Sequence, residues 1–433
     1  MDITNRILNQ EFNGVFIDSR TPIEGGLFVP IRGDKFNGNS FIRHAFEGGA
    51  RASLVEAAYY YENEHLLQDL DLIVVEDSLQ ALQYLAHEIR QAINPTVIGI
   101  TGSNGKTTLK NMLEAICRTS FRTHATKGNF NNEIGLPLMV LNMPPDTEML
   151  VLEMGMSSPG EIALLSKITR PDIAVITNIG TSHLEFFNDV TGILHAKLEI
   201  TSHMAPEDPL YINDDDPLLH GYDYGDRPVI RCRRDQLHDI TSHDGYYSYR
   251  WQDIEVDLSV RGEHQVDNSH LAIAIGRDLG IEPSLIKQAI SAYSGADMRF
   301  ATRLIGDITV INDAYNASPS SMIAALKTML DMSGRRKIAV LGDIFELGQA
   351  AQQEHRHVGQ FGDIDKLDGL FTIGEFARYI APKHPAGRHF TNIQRLCEHL
   401  IQYVQPGDLI LVKASRGMQL ERVVRYLEEN YGK

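Results

Sequence analysis

Residues 101–108, which read TGSNGKTT, constrain this chain more than any other segment. The apolar run 97–100 precedes them, and residues 109–116 follow with apolar side chains at helical spacing. A strand, a glycine-rich turn and a helix in this order are the context of a phosphate-binding loop. Gly102 and Gly105 permit the tight turn that points backbone N–H groups at a phosphate. The sequence therefore predicts a nucleotide-binding α/β unit around this segment.

Two side chains in this loop carry the chemistry that a nucleotide needs. Lys106 can reach the β- and γ-phosphate oxygens, and the Thr107 hydroxyl can bind Mg²⁺. The helix that begins near Lys106 adds the positive end of its dipole. The common pattern places its first glycine at the position that is Ile100 here, so the loop is a variant. The other residues that we assign to ATP binding in this loop are Thr101, Gly102, Ser103, Asn104, Gly105 and Thr108.

Composition narrows the class of protein. The 433 residues are 43% hydrophobic, which is ordinary for a globular chain, and the formal net charge is −17. No basic stripe offsets this charge, so we expect neither a nucleic-acid binder nor membrane insertion. Three widely spaced cysteines predict a reducing compartment without a zinc site. No signal peptide or membrane-spanning run is visible, and we therefore expect a cytoplasmic protein.

The chain divides into three predicted α/β units. Short apolar runs alternate with turns over residues 1–85, which we interpret as a small domain. Residues 86–297 contain the phosphate-binding loop and form a central domain with a parallel sheet. Buried-type strands separated by helices recur over residues 298–433 and imply βαβ units with right-handed crossovers, hence a Rossmann-like domain.

Further candidate residues follow buried strands of the central domain. Glu153 ends the apolar run 149–152, and His183 follows the run 172–179. Ligands of parallel α/β sheets bind at the carboxyl ends of the strands. Glu153 could therefore hold Mg²⁺ opposite the loop, with an exposed strand-end glutamate as the alternative. His183 is either a metal ligand or a hydrogen-bonded surface histidine.

Some positions have two open interpretations from the residues alone. Arg20 follows a strand and precedes a proline turn, so it either holds a phosphate or is an exposed turn arginine. Lys197 lies among apolar residues of a helix, which is typical of a lysine whose ammonium reaches solvent. The amide-rich segment 126–135 is either a ligand-facing loop or a plain surface loop. The residues alone thus predict an ATP-using enzyme of the P-loop type.

A set of motifs resembles the ATP-dependent Mur ligases. These motifs are TGSNGKTT, GNFNNEIGLP, EMGM, TNIGTSHLE and HAKLEI. Others are similar to the members of that family that act on D-alanyl-D-alanine: DSR with LFVPIRGDKFNGNSFI, INDAYNASPSSM, VLGDIFELG with His355, and LVKASRGMQLERVV. The resemblance covers nearly the whole chain in order, although residues 220–262 carry no such motif.

The resemblance implies an activity. The chain would join D-alanyl-D-alanine to UDP-N-acetylmuramoyl-tripeptide with ATP, through an acyl phosphate, in peptidoglycan precursor synthesis. Residues 1–85 would bind the UDP-sugar, residues 86–297 ATP, and residues 298–433 the dipeptide. The expected protein is a monomer that acts on these small molecules.

The resemblance also implies roles for individual residues. Lys106 would contact the ATP phosphates, Thr107 with Glu153 would hold one Mg²⁺, and His183 would hold a second. Lys197 matches a family lysine that CO₂ converts to a carbamate, which is a Mg²⁺ ligand, and Lys106, Lys197 and His183 would be catalytic. Asn268 would lie beside adenine, and Arg299 and Asp313 would meet the nucleotide when the third domain closes. The residues that would contact the other substrates are Ser19, Arg20, Asn316, Asp343, Lys413, Ser415 and Arg416.

The sequence departs from the family in three places, and two other functions compete. Gln265 stands where asparagine is frequent, Ala414 where glycine is, and residues 37–39 read Asn-Gly-Asn instead of Asp-Gly-His. One alternative is folylpolyglutamate synthase, which shares the core chemistry but lacks a UDP-sugar-binding first domain of this kind. The other is a regulatory protein that binds a nucleotide without catalysis.

Overall fold

The computed structural model describes residues 3–33, 35–187 and 189–431. It contains three sheets of mainly parallel strands, each with its helices, along the chain. The predicted α/β class with three units is therefore confirmed. Among the described residues, no helix combines the length and the apolar character that a membrane span requires.

The first unit is built on a parallel sheet. Its strands are β1 (Val15–Phe16), β2 (Leu27–Phe28), β3 (Arg32–Gly33), β4 (Phe36–Asn37), β5 (Ala52–Glu56) and β6 (Leu72–Val75). Its helices are α1 (Ile3–Leu8), α2 (Ile42–Glu47), α3 (Ala57–Leu67) and α4 (Ser78–Ile93). The sheet has the order β1-β2-β5-β6, and β3 and β4 form a separate two-stranded hairpin.

Helix α4 joins the first unit to the central one. It begins where the Asp77 carboxylate accepts the backbone N–H of Gln80 at 2.8 Å, and it ends at Asn94, which has a φ of 52° before Pro95. Its buried face contributes to a single hydrophobic core with side chains of both units. The predicted boundary between residues 85 and 86 falls inside this helix.

The central unit surrounds the strand that precedes the phosphate-binding loop. Its strands are β7 (Thr96–Thr101), β8 (Thr123–Ala125), β9 (Met149–Glu153), β10 (Ile173–Ile176), β11 (Leu210–Asn213) and β12 (Val229–Cys232). Its first helices are α5 (Lys106–Cys117), α6 (Gly135–Leu141), α7 (Glu161–Thr169), α8 (Val190–Leu198) and α9 (Pro217–His220). The parallel order β12-β11-β10-β7-β9-β8 places β7 between β9 and β10. The ends of these three strands consequently meet at one edge of the sheet.

The segment without a recognisable motif adds a small antiparallel sheet. It consists of β13 (His238–His243), β14 (Tyr246–Trp251) and β15 (Ile254–Arg261) and is followed by α10 (His264–Asp278) and α11 (Pro283–Ala292). Ile254, Val256 and Leu258 alternate along β15 with exposed residues, as expected for a sheet with one buried face. These three side chains belong to the core that includes the buried faces of α5 and α10.

The third unit contains a six-stranded sheet of order β16-β17-β21-β18-β19-β20. Only β16 is antiparallel to its neighbour in the described pairings of this sheet. Its strands are β16 (Ala301–Ile305), β17 (Ile308–Asp313), β18 (Lys337–Gly342), β19 (Gly369–Ile373), β20 (Gly387–Phe390) and β21 (Leu409–Lys413). Its helices are α12 (Pro319–Asp331), α13 (Ala351–Gly359), α14 (Ile393–Tyr403) and α15 (Glu421–Asn430).

Candidate active site

A cavity of about 1460 Å³ lies at the carboxyl ends of β7, β9 and β10 and is closed on its other side by the third unit. The predicted residues in its wall come from both units. From the central unit they are Ser103, Asn104, Gly105, Lys106, Thr107, Thr108, Glu153, His183, Lys197 and Asn268. From the third unit they are Arg299, Asp313, Asn316, Lys413, Ser415 and Arg416.

The predicted residues of the first unit lie outside this wall. Ser19 is buried, whereas the Arg20 side chain is 83% exposed and pairs with the Asp18 carboxylate at 2.7 Å. The hydrogen bonds from Arg20 lower the pKa of Asp18 to about 2. Thr101 is also outside the wall, and its hydroxyl donates to the Met154 carbonyl at 3.0 Å. The cavity thus gathers the predicted ATP side of the reaction but not the UDP-sugar side.

The end of β10 holds the phosphate-binding loop in position. The Thr177 hydroxyl donates to the Asn104 carbonyl at 2.5 Å, and Asn178 Oδ1 accepts the Asn104 N–H at 3.0 Å. Gly102 has a φ of +147° and Gly105 a φ of +84°, which glycine adopts at little cost. Thr177 and Asn178 were not among the predicted site residues, although both lie in the TNIG motif.

Gly102→Ala should disrupt this loop. A Cβ atom at Gly102 would lie 1.9 Å from Thr177 Oγ1, the group that fixes the loop. We expect ADP binding by calorimetry to weaken at least tenfold. Gly160→Ala is the matched control, since Gly160 also has positive φ but no atom within 4 Å of its Cβ position. Equal affinities of the two variants for ADP would contradict the expected clash.

Lys106 lies at the start of α5 with its ammonium turned back into the loop. Its Nζ atom donates to the Gly102 carbonyl at 2.8 Å. Burial lowers the pKa of Lys106, while the Glu153 carboxylate opposes that shift. Neutral carbonyl oxygens are its hydrogen-bond partners, so its charge remains available to an anionic ligand in the cavity.

Glu153 and Thr107 are joined by a hydrogen bond in the cavity wall. Glu153 Oε2 accepts the Thr107 hydroxyl at 2.7 Å, and its Oε1 accepts Asn131 Nδ2 at 2.9 Å. Mg²⁺ in nucleotide sites is typically held by one or two such protein oxygens together with phosphates and water. Among the described residues, no group of three His, Cys, Asp or Glu side chains could hold a metal. The pair therefore fits a Mg²⁺ ion bound jointly with a nucleotide.

His183 contacts the third unit. It has a φ of +64°, and its Nδ1 atom lies 2.5 Å from Glu346 Oε2 without the angle of a hydrogen bond. Contact with this imidazole holds the pKa of Glu346 below its usual range. The Glu346 carbonyl also accepts the backbone N–H of Glu185 at 3.1 Å. The sequence analysis did not identify Glu346 as part of the site.

Lys197 is buried on α8, with only 2% of the residue exposed. The interpretation of an ammonium that reaches solvent is therefore wrong. Burial lowers the pKa of Lys197 well below its usual range, and the nearby Lys106 charge adds to the shift. Within the described residues, no hydrogen bond or ion pair involves its Nζ atom. The side chain thus contributes an amine of lowered pKa to the cavity wall.

Helix α10 packs against the loop through Asn268. Its Oδ1 atom lies 2.6 Å from the position of a Cβ at Gly105, so only glycine fits there. Asn268 Nδ2 donates to Gln265 Oε1 at 3.1 Å, so the glutamine that departs from the family orients this amide. Burial lowers the pKa of the neighbouring His264 to about 4, which keeps the imidazole neutral near pH 7.

The third unit presents a charged pair and a cation. Lys413 Nζ lies 2.7 Å from Asp313 Oδ2 and donates to the Asn316 carbonyl at 3.0 Å. The Arg299 guanidinium lies 4.1 Å from the centre of the Tyr315 ring and donates to Thr107 Oγ1 at 2.9 Å. The third unit therefore reaches the P-loop threonine directly.

The remaining predicted residues of the third unit shape its loops. Ser415 Oγ accepts the backbone N–H of Phe345 at 2.9 Å, and Arg416 pairs with Glu421 at 3.3 Å. Asp343 lies outside the cavity wall and holds a turn. Its carboxylate accepts three backbone N–H groups, those of Glu375 at 2.7 Å, Phe376 at 2.9 Å and Ala377 at 2.6 Å.

Comparison with known proteins identifies relatives of the whole chain. The Mur ligase middle domain matches residues 100–276, and the domain described as "Mur ligase, glutamate ligase domain" matches residues 298–416. A UDP-N-acetylmuramoyl-tripeptide–D-alanyl-D-alanine ligase of Bacillus subtilis is 40% identical, with 96% of this chain and 93% of the relative covered.

Solved structures with this fold include two close matches. MurF from Acinetobacter baumannii has a TM-score of 0.88 at 28% identity and covers 99% of this chain and 98% of its own. A MurF ligase from Thermotoga maritima in complex with ADP has a TM-score of 0.86 at 30% identity, with 98% of each chain covered.

Proposed function

Since the chain belongs to the Mur ligase family, we propose that it uses ATP to join D-alanyl-D-alanine to UDP-N-acetylmuramoyl-tripeptide. The observation that carries this function is the single cavity shared by the P-loop and the third unit. A nucleotide, an acid and an amine can meet there. The relative that is 40% identical over 96% of this chain supports the identity of the substrates, and the product belongs to peptidoglycan synthesis.

The reaction must activate a carboxylate, because a carboxylate and an amine do not condense unaided in neutral water. A carboxylate oxygen of the tripeptide bonds to the γ-phosphorus of ATP, and ADP leaves. The dipeptide amine, after losing its ammonium proton, attacks the acyl carbon of the resulting acyl phosphate. The C–O bond to phosphate then breaks, which gives the amide and inorganic phosphate.

Residues of the central unit would stabilise the negative charge of the phosphoryl group during the first step. Lys106 would contact the transferring phosphoryl group, where developing negative charge is greatest. Thr107 and Glu153 would hold one Mg²⁺ and His183 a second. When bound, these ions would reduce the repulsion between the carboxylate and the triphosphate. Asn268 would lie on the adenine side, and Arg299 and Asp313 would meet the nucleotide from the third unit.

Lys197 would act as a carbamate. Its Nζ atom adds to the carbon of CO₂ and releases a proton, which converts the buried amine into a carboxylate-like ligand. This addition requires the neutral form of the amine, and burial of Lys197 favours that form by lowering its pKa. The lack of a hydrogen-bond partner for Nζ among the described residues leaves it free to react.

The substrates would divide among the units as the sequence suggests. Residues 1–85, with Ser19 and Arg20, would bind the UDP-sugar, and residues 86–297 would bind ATP. Residues 298–433 would bind the dipeptide. The third-unit residues on that side of the cavity would be Asn316, Lys413, Ser415 and Arg416, with Asp343 supporting them through its turn. Closure of this unit would exclude water, which hydrolyses an acyl phosphate.

Phosphate release tests this function. We expect turnover only when ATP, UDP-N-acetylmuramoyl-tripeptide and D-alanyl-D-alanine are all present. Tripeptides that end in lysine and in diaminopimelate, assayed separately, would identify the preferred third residue. Turnover with folate and glutamate instead would identify a folylpolyglutamate synthase. Nucleotide binding without turnover under any combination would indicate the regulatory alternative.

A further inference from the structure

The Asn104 side chain in the phosphate-binding loop is bonded to the third unit. Its Oδ1 atom accepts the Ser318 hydroxyl at 2.9 Å, and its Nδ2 atom donates to the Ser320 hydroxyl at 3.0 Å. The polar groups of a phosphate-binding loop are expected to bind phosphates. Both polar atoms of this side chain are instead used across the boundary between the two units.

The two ends of this contact are rigidly held. On the central side, the Asn104 peptide is fixed through both its N–H and its carbonyl by Thr177 and Asn178. On the other side, Ser318 is buried and caps α12, where its hydroxyl oxygen accepts the Ser321 N–H at 3.2 Å. The Asn104 side chain therefore connects a loop backbone that is held by hydrogen bonds to the first turn of a helix in the third unit.

We propose that Asn104 is a positioning residue that couples the phosphate-binding loop to closure of the third unit. This inference rests on the proposed function, because closure matters when the dipeptide and the activated acid must meet. Nucleotide phosphates would bind the loop that carries Asn104, and the Asn104 amide holds α12 of the third unit beside that loop. The sequence predicts only an ATP-binding role for Asn104.

Asn104→Ala is the first test. The variant keeps the backbone N–H and carbonyl that Thr177 and Asn178 hold, so its ADP affinity by calorimetry should stay within about threefold of the wild type. We expect kcat/KM for D-alanyl-D-alanine to fall about tenfold. A change of this size corresponds to the net free energy of about one or two hydrogen bonds. Small-angle scattering with ADP, Mg²⁺ and the UDP-tripeptide should give a larger radius of gyration for the variant than for the wild type.

Ser320→Ala is the matched variant on the other side of the contact. It removes the acceptor of Asn104 Nδ2 and leaves the phosphate-binding loop intact. We expect the same direction of change as for Asn104→Ala, and a double variant no worse than Asn104→Ala. Because Ser320→Ala is remote from the loop backbone, it tests the coupling even where Asn104→Ala does not fold.

Two outcomes would overturn the coupling. Additive losses in the double variant would mean that Asn104 and Ser320 act independently. A loss of ADP affinity in Asn104→Ala as large as its loss in kcat/KM would make Asn104 a nucleotide ligand and not a closure residue. The scattering and ADP measurements do not depend on turnover, so they separate a failure of the coupling from a failure of the proposed function.

Discussion

Lys106→Ala should lower the rate of phosphate release by about 10³-fold, the order expected when one donor to developing charge is removed from a closed site. The Lys106 ammonium lies in the cavity wall with carbonyl oxygens as its partners, so its replacement by alanine removes a positive charge from the loop. Steady-state phosphate release with all three substrates measures the effect, and circular dichroism should report a wild-type fold.

Lys110→Ala is the control for this experiment. Lys110 lies on the same helix, is also buried, and pairs with Glu114 at 3.2 Å away from the cavity wall. It should retain turnover within a few-fold of the wild type. Turnover of Lys106→Ala at the level of this control would reject the ATP site.

Lys197→Ala should abolish turnover in ordinary buffer and regain part of it with formate or acetate. The truncated side chain leaves space beside the Lys106 charge that a small carboxylate can occupy in place of the carbamate. Phosphate release measured against acid concentration should therefore rise and saturate.

Lys197→Met separates rescue from a general salt effect. Methionine has a similar length and no amine, so it should be inactive and should also fill the space that the acid needs. If formate or acetate restored Lys197→Ala and Lys197→Met to the same extent, the acid would not be binding at a specific site in place of the side chain. Full activity of Lys197→Ala without any additive would show that no carbamate is required.

Local spacing explains why the sequence predicted the nucleotide side of the cavity. Residues 101–108, Glu153 and His183 each lie at or just beyond the carboxyl end of a buried strand, and strands of one parallel sheet end at a common edge. The same reasoning failed for Lys197, because apolar neighbours on a helix are equally typical of a lysine that reaches solvent. Burial of Lys197 on that helix depends on distant packing that no local pattern reports.

Two of the contacts between units were not predictable from the sequence. Asn104 and Ser320 are 216 positions apart, and Glu346 lies far from His183 in the chain. No sequence motif includes both members of either pair. The two contacts form because of how the central and third units pack against each other. At Asp343 the sequence pattern and the structure differ. Its position after a strand is typical of a ligand-binding residue, but its carboxylate accepts hydrogen bonds from three backbone N–H groups.

The first unit and the central unit share one hydrophobic core, which joins them into a single body. Leu82, Leu85 and Ile89 of α4 belong to the same buried cluster as Leu150 and Leu152 of β9. The third unit has clusters of its own, composed only of residues beyond position 299. The described part of the molecule therefore divides into one body formed by the first and central units around a common core and a second body formed by the third unit with cores of its own. A chimaera that exchanges residues 1–77 alone should keep α4 packed in the core of the central unit. A chimaera with its junction within α4 would disrupt that shared core.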